Sequence, residues 1–195
     1  MASERDEAQR AAFRAVVAPW DQKRFIVVDE TSINIAMTRG YARAPRGQRA
    51  YGAVPRNDGP HLSVIGALGL QGMGAALSVE GAGDPDVFDG FVRRVLVPAL
   101  TPGDVVRLDN LNVPHASCIE QAVLAAQGQV MFLPSYSPDC SPIEPWWSKR
   151  KTGLRAAAAR TRHRLETALK SALHTIRPED IRGWFTHCGY LVPSK

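Results

Sequence analysis

A mixed α/β domain is what this sequence predicts, on three observations. Short apolar, β-branched runs alternate with segments of helical period. The first three or four runs follow one another as a meander. After about Pro145 the chain reads as helix to about Tyr190. A length of 195 residues suits one such domain with additions.

Each element has its own warrant. Residues 1–23 read as a helical lead-in, with Ala8, Ala11, Ala12, Ala15 and Val16 at helical spacing, and the domain proper spans 24–195. Phe25-Ile26-Val27-Val28 is a continuous apolar run of the kind found in buried strands. It stops at Asp29-Glu30, and Ile33 to Met37 suits a returning strand. Arg39 to Pro60 is rich in Gly, Pro, Arg and Asn and reads as an extended loop. Two more strands, His61 to Leu70 and Ala75 to Val79, flank the turn Gln71–Gly74. From Asp84, a plausible cap, to Leu100 the apolar residues Val87, Phe88, Phe91, Val92, Val95 and Leu96 share a helical face. Asp104 to Asp109 is a strand ending in a carboxylate. A helix follows from about Pro114 to Ala126, then a short strand, Val130 to Leu133, and a Pro/Ser loop, Pro134 to Pro145.

Composition excludes several classes. At 45% apolar and 22% charged the chain is an ordinary globular one. Its apolar runs fall far short of the roughly 18 residues that span a bilayer. No membrane association is expected, nor a signal peptide. Three cysteines without CxxC spacing argue against a disulfide framework or a cysteine zinc site, and a cytoplasmic location is expected. Charge is unevenly spread. The net value is +5, yet from Trp146 onward there are 11 Lys/Arg against 3 Asp/Glu. A basic C-terminal segment of that kind suits a polyanion such as nucleic acid, and equally a solvated helix face.

Two apolar strands, FIVVDE and VVRLDN, end on acidic residues. Strand carboxyl ends are where ligands collect in open α/β sheets, and adjacent strands would set Asp29 beside Asp109. Two carboxylates at that range repel, so one takes up a proton or a cation bridges them. Oxygen ligands favour Mg²⁺ or Mn²⁺ over zinc. Taken singly, each Asp also reads as a cap or turn residue. Glu144 follows a proline-rich loop at a helix start, where Pro145 would occupy the first helical position and the dipole favours an ionised carboxylate. A P-loop ATPase reading of FIVVDE fails, because the chain has no G-x-x-x-x-G-K-[ST] loop.

FIVVDET, LDNLNVPHA and FLPSYSPDCSPIEPWW, in this order, resemble the catalytic domain of DDE transposases, and most narrowly the bacterial insertion-sequence branch of the mariner superfamily. The resemblance covers nearly all of residues 24–155, and the 34 residues between Asp109 and Glu144 match that branch. Ser135, Cys140-Ser141 and Lys149-Arg150 depart from the family pattern without removing a presumed ligand.

The resemblance implies a ribonuclease H-like mixed sheet with helices packed on both faces. It implies DNA strand cleavage and strand transfer, with Asp29, Asp109 and Glu144 as catalytic residues and ligands of two Mg²⁺ (or Mn²⁺) ions. DNA contacts are expected from Lys151, Arg150, Arg155, Trp147 and His115. Arg160, Arg162 and Arg164, together with Arg43, Arg46, Arg49 and Arg56 of the early loop, would add phosphate contacts. The implied partners are double-stranded DNA, as transposon ends and target, and a second copy of the chain in a homodimer. Members of the family carry helix-turn-helix domains ahead of the catalytic core, whereas only about 23 residues precede it here. A separately encoded helix-turn-helix subunit is therefore a further expected partner. Two other readings stand beside this one: a non-catalytic DNA-binding fragment that modulates a transposase, and another ribonuclease H-like nuclease such as a junction resolvase.

Overall fold

A computed structural model describes residues 6–81, 83–109 and 116–192. Five strands form one sheet in the order β3-β2-β1-β4-β5. β1 (Phe25–Asn34), β2 (His61–Gly69) and β3 (Gly72–Glu80) make an antiparallel meander. β4 (Val105–Leu108) and β5 (Gln129–Phe132) add in parallel beside β1. The order and directions are ribonuclease H-like, as expected.

Helices cover both faces. On one side lie α2 (Pro85–Phe91) and α3 (Ala116–Ala125). There Phe88, Phe91, Ile119 and Val123 pack on Val28, Ile65, Val106 and Leu108. On the other lie α1 (Glu7–Val17), α4 (Ile143–Ala157), α5 (Arg162–His174) and α6 (Pro178–His187). There Val17, Trp146, Leu154, Leu165 and Phe185 pack on Phe25, Val27, Leu62 and Val105. Alternation along the strands produces this division, since successive side chains point to opposite faces. Among the described residues no helix is long and apolar enough to cross a membrane.

Several boundaries differ from expectation. No returning strand occupies Ile33–Met37. β1 instead runs unbroken to Asn34, because β2 pairs with it from Gly69 opposite Ile26 to His61 opposite Asn34. Asp29 is therefore a mid-strand residue. The β2–β3 turn is the two-residue Leu70–Gln71, closed by Gly72, whose φ of 127° suits glycine. Asp84 caps α2 as expected, accepting from the Val87 amide at 2.9 Å, but the helix loosens to a π-helical turn over Val92–Leu96 and a tight turn over Val97–Ala99. Pro98, which has no amide hydrogen, lies in that last turn.

α1 buries a different stripe from the one the alanines suggested. Ala8, Ala11, Ala12, Ala15 and Val16 are exposed, whereas Arg10, Phe13 and Val17 turn inward. An alanine stripe has little area to bury. The inward guanidinium has a carboxylate waiting for it in Asp139. α4 begins two residues earlier than expected, placing Pro145 third in the helix. Proline is tolerated there because the first four amides lack intrahelical partners.

Candidate active site

The register of β1 and β4 sets the first two carboxylates. Parallel pairing runs from Phe25 opposite Val105 to Val27 opposite Arg107. Two residues further along each strand stand Asp29 and Asp109. Both lie on the α4 face by strand alternation, just where direct β1–β4 pairing has ended. The chain then crosses through α3 and β5 and returns along residues 133–142 to α4, whose first turn carries Glu144. The Glu144 amide donates to the Ser141 carbonyl at 3.2 Å, tying the carboxylate-bearing turn to that loop.

These three elements enclose a cavity of about 420 Å³. Asp29, Asp109 and Glu144 line it together with Leu133, Tyr136 and Ser141. Tyr136 holds a left-handed backbone, with φ 54°, at the exposed wall. The sequence expectation that the three carboxylates meet is met at the level of one shared cavity.

The electrostatics are those of an acidic pocket. Burial pushes the Asp29 carboxyl up to about 6, and the negative charge of Glu144, then of Asp109, pushes the same way. Two hydrogen bonds oppose the rise: the Glu30 backbone, and the Trp147 indole N–H, which donates to Asp29 Oδ2 at 3.1 Å. On β2, Gly66 pairs with Asp29. A side chain there would meet the Trp147 ring at 3.3 Å and Met73 at 3.2 Å, so the bare backbone leaves the indole its path to the carboxylate.

An all-oxygen donor set under mutual repulsion fits a hard divalent cation such as Mg²⁺ or Mn²⁺. Among the described residues no three acidic, His or Cys side chains already form a closed metal cage. The fit therefore rests on donor chemistry and on the shifted Asp29.

Two DNA-contact expectations are corrected. Trp147 is 4% exposed, packed edge-on against Trp146, and its one donor is used on Asp29; it orients a carboxylate from inside the core. Arg150 is 6% exposed and donates to the Ala172 carbonyl at 2.8 Å and the Thr175 hydroxyl at 2.9 Å, so it fastens α4 to the end of α5. Lys151 is half-buried and Arg155 exposed. Arg155 shares a groove of about 620 Å³ with Arg39 and Tyr41. Arg160 bonds the Ile35 and Met37 carbonyls, and Arg162 pairs with Glu80 and Glu166. Arg43, Arg46, Arg49 and Arg56 are exposed on the loop before β2. Asn110 and His115 lie outside the described residues.

Sequence reasoning missed three contributors. Trp147 as partner of Asp29 is hidden because the contact spans 118 residues. Arg10 reads as a surface cation, yet it is fully buried against Asp139. Arg107, two residues before Asp109, is buried with its guanidinium 4.4 Å from the Phe13 ring centroid and 4.8 Å from that of Tyr190, and burial lowers its pKa to about 9. Its charge sign was legible in VVRLDN; its inward direction follows from the same alternation that turns Asp109 to the α4 side.

Comparisons with known proteins agree with this geometry. Residues 24–166 match the family model described as DDE superfamily endonuclease. No curated protein matches the chain. Among solved structures, the Mos1 transposase paired-end complex with left transposon end is similar at TM-score 0.73 and 15% identity, over 94% of this chain and 56% of that one. The catalytic domain of Mos1 mariner transposase is similar at TM-score 0.63 and 11% identity, over 99% of this chain and 98% of that one. A Mos1 catalytic domain with Raltegravir and Mn aligns at TM-score 0.71 and 12% identity, over 97% and 95%. At these identities the likeness is one of fold. The chain spans about half the length of the Mos1 chain in the DNA complex.

Proposed function

The chain belongs to the DDE superfamily endonucleases, and from that premise we propose that it is the catalytic domain of a DNA transposase, acting on transposon ends and target DNA. The observation that carries the reading is the shared cavity of Asp29, Asp109 and Glu144, supplied by two parallel strands and a helix start in the family's order.

Asp29, Asp109 and Glu144 would hold the divalent metal, as two Mg²⁺ or Mn²⁺ ions. When bound, the metal supplies activation of the attacking hydroxyl and charge neutralisation at the leaving oxygen of an in-line displacement. The remaining work falls to the chain itself. Trp147 fixes the orientation of the Asp29 carboxylate and favours its ionised form. The loop through Ser137 and Ser141 walls the cavity. Exposed Arg155 and Arg39 in their groove, with Lys151, would contact phosphates and set the register of the duplex without reading its sequence. His115 is a further candidate for phosphate contact. Assembly as a homodimer on paired ends, a separately encoded helix-turn-helix subunit, membership of the bacterial insertion-sequence branch and a place in the nucleoid belong to the same proposal.

The test is nicking of supercoiled plasmid by the purified chain with Mn²⁺, beside Asp109→Asn and an EDTA control. The expected result is metal-dependent nicking that falls by a factor on the order of 10³ or more in the variant. Equal nicking by variant and wild type would sink the proposal. Retained DNA binding with no nicking would transfer support to a non-catalytic DNA-binding fragment.

A further inference from the structure

The short turn Pro138–Cys140, between the cavity wall and α4, is gripped from two directions. From α1, Arg10 sets Nη1 2.9 Å from Asp139 Oδ1 and Nη2 2.5 Å from Oδ2, while its Nε donates to Glu7 at 3.2 Å. The guanidinium is fully buried on a helix whose other polar side chains are exposed. From beyond α6, the Tyr190 hydroxyl donates to the Cys140 carbonyl at 2.8 Å and accepts from Arg107 Nη1. Tyr190 is itself 4% exposed, wedged edge-on against Phe25 and Phe185. Next after Cys140 comes Ser141, whose carbonyl accepts from the Glu144 amide. Both grips therefore act within five residues of the third carboxylate. Both also come from outside residues 24–166, the span that matches the family.

We propose that Arg10 and Tyr190 are positioning residues for Glu144, so that the working nuclease includes the lead-in helix and the segment after α6. The inference rests on the reading of Asp29, Asp109 and Glu144 as the catalytic carboxylates. A two-pronged Arg–carboxylate pair fixes orientation as well as distance. The phenolic hydroxyl fixes the neighbouring carbonyl, leaving the turn no free direction of swing. Without Arg10, Asp139 is not stranded, because its side chain is 41% exposed; what is lost is the constraint on the turn.

The test compares the full chain with Arg10→Ala, Arg10→Lys, Tyr190→Phe and the double variant Arg10→Ala/Asp139→Ala. Each is assayed for plasmid nicking, for Mn²⁺ binding by electron paramagnetic resonance, and for hydrogen exchange of amides 139–144. Arg10→Ala is expected to nick roughly 10- to 100-fold more slowly at unchanged plasmid KM, since small displacements of a reacting group cost that much. It should also bind Mn²⁺ more weakly and exchange faster at 139–144, with α3 unaffected. Arg10→Lys should recover part of the loss. The double variant should be no worse than Arg10→Ala, as for two residues acting as one unit. Arg10→Ala and Tyr190→Phe proteins that nick, bind and exchange as the wild type does would overturn the inference. If Arg10→Ala loses protection in α3 as well, Tyr190→Phe decides, provided its own α3 protection is kept, because it removes no packing and only one hydroxyl, shared by the Cys140 carbonyl and Arg107. A wild type that neither binds Mn²⁺ nor nicks would remove the reading of the carboxylates. Exchange at 139–144 would then still separate a turn released by Arg10→Ala, which supports the grip, from one left unchanged, which refutes it.

Discussion

The two faces of the sheet are built on different principles. Under α2 and α3 the buried cluster is mainly aliphatic and aromatic, Phe91, Val92, Val106 and Val123 being fully enclosed, and the buried Ser63 on that face is satisfied by the Gly81 carbonyl at 2.9 Å. Under α1 and α4–α6 an equally buried cluster admits three arginines, Arg10, Arg107 and Arg150, and the indole that holds Asp29. Among the described residues, buried polar atoms without a partner include Arg107 Nε and Nη2, Arg150 Nε and Trp146 Nε1, all on this second face. Orphaned polar atoms in a core reduce stability, and function is the usual reason they persist. One face is packed apolar surface; the other carries buried polar groups beside the cavity of the three carboxylates.

The sharpest way to separate the faces is Phe91→Ala. Removing a ring that is fully enclosed should lower unfolding free energy by about 3–5 kcal/mol, while nicking below the melting range stays near the wild-type rate. Urea denaturation and plasmid nicking measured on one preparation check both halves. A large loss of nicking in folded protein would mean that the faces are coupled after all.

Asp29→Asn should do the reverse. The folded carboxyl titrates near 6 and the unfolded one near 3.8, so the native state binds the extra proton between those values. Its stabilising contribution is complete below about pH 4 and is lost as pH rises through 6. The neutral amide escapes that loss. The variant should therefore be more stable than wild type at pH 8, by up to about 3 kcal/mol, with the advantage shrinking toward pH 4 and nicking abolished. Denaturation midpoints at pH 4.5 and pH 8 test it; a variant no more stable at pH 8 counts against a strained carboxylate pocket.

Trp147→Phe is the smallest perturbation. The ring stays in the core while the donor to Asp29 disappears, at a cost of about 1 kcal/mol. Because that bond lowers the Asp29 pKa, the acidic limb of the nicking-versus-pH profile should move upward. An unmoved limb would show that the indole packs without tuning.

The order of elements was legible because most strands carry an apolar run and most helices an apolar stripe at helical spacing; the expected strand at Ile33–Met37 and the alanine stripe of α1 were misread. That three carboxylates would line one cavity was legible because three short motifs fall in a known order and spacing. What could not be read were contacts that cross the chain. Asp29 looked like a strand end because the apolar run stops there, whereas pairing with β2 carries the strand five residues further. Trp147 and Arg150 looked like DNA contacts because residue type suggests surface, and only the packing of α4 against β1 and α5 turns them inward. Arg10 was hidden among alanines for the same reason.

The grip on the Glu144 turn also has a bearing on how the molecule assembles. Asp139 meets Arg10 across 129 residues of chain, and Cys140 meets Tyr190 across 50. Contacts across such separations bring together parts of the chain that sequence alone keeps far apart, at a loop-closure cost that grows only slowly with length. The β1–β4 pairing that brings Asp29 near Asp109 also spans 80 residues, from Phe25 to Val105, and the two contacts on the turn add the segments before β1 and after α6 to that scaffold. The proposed positioning of Glu144 is thereby tied to the docking of both flanking segments.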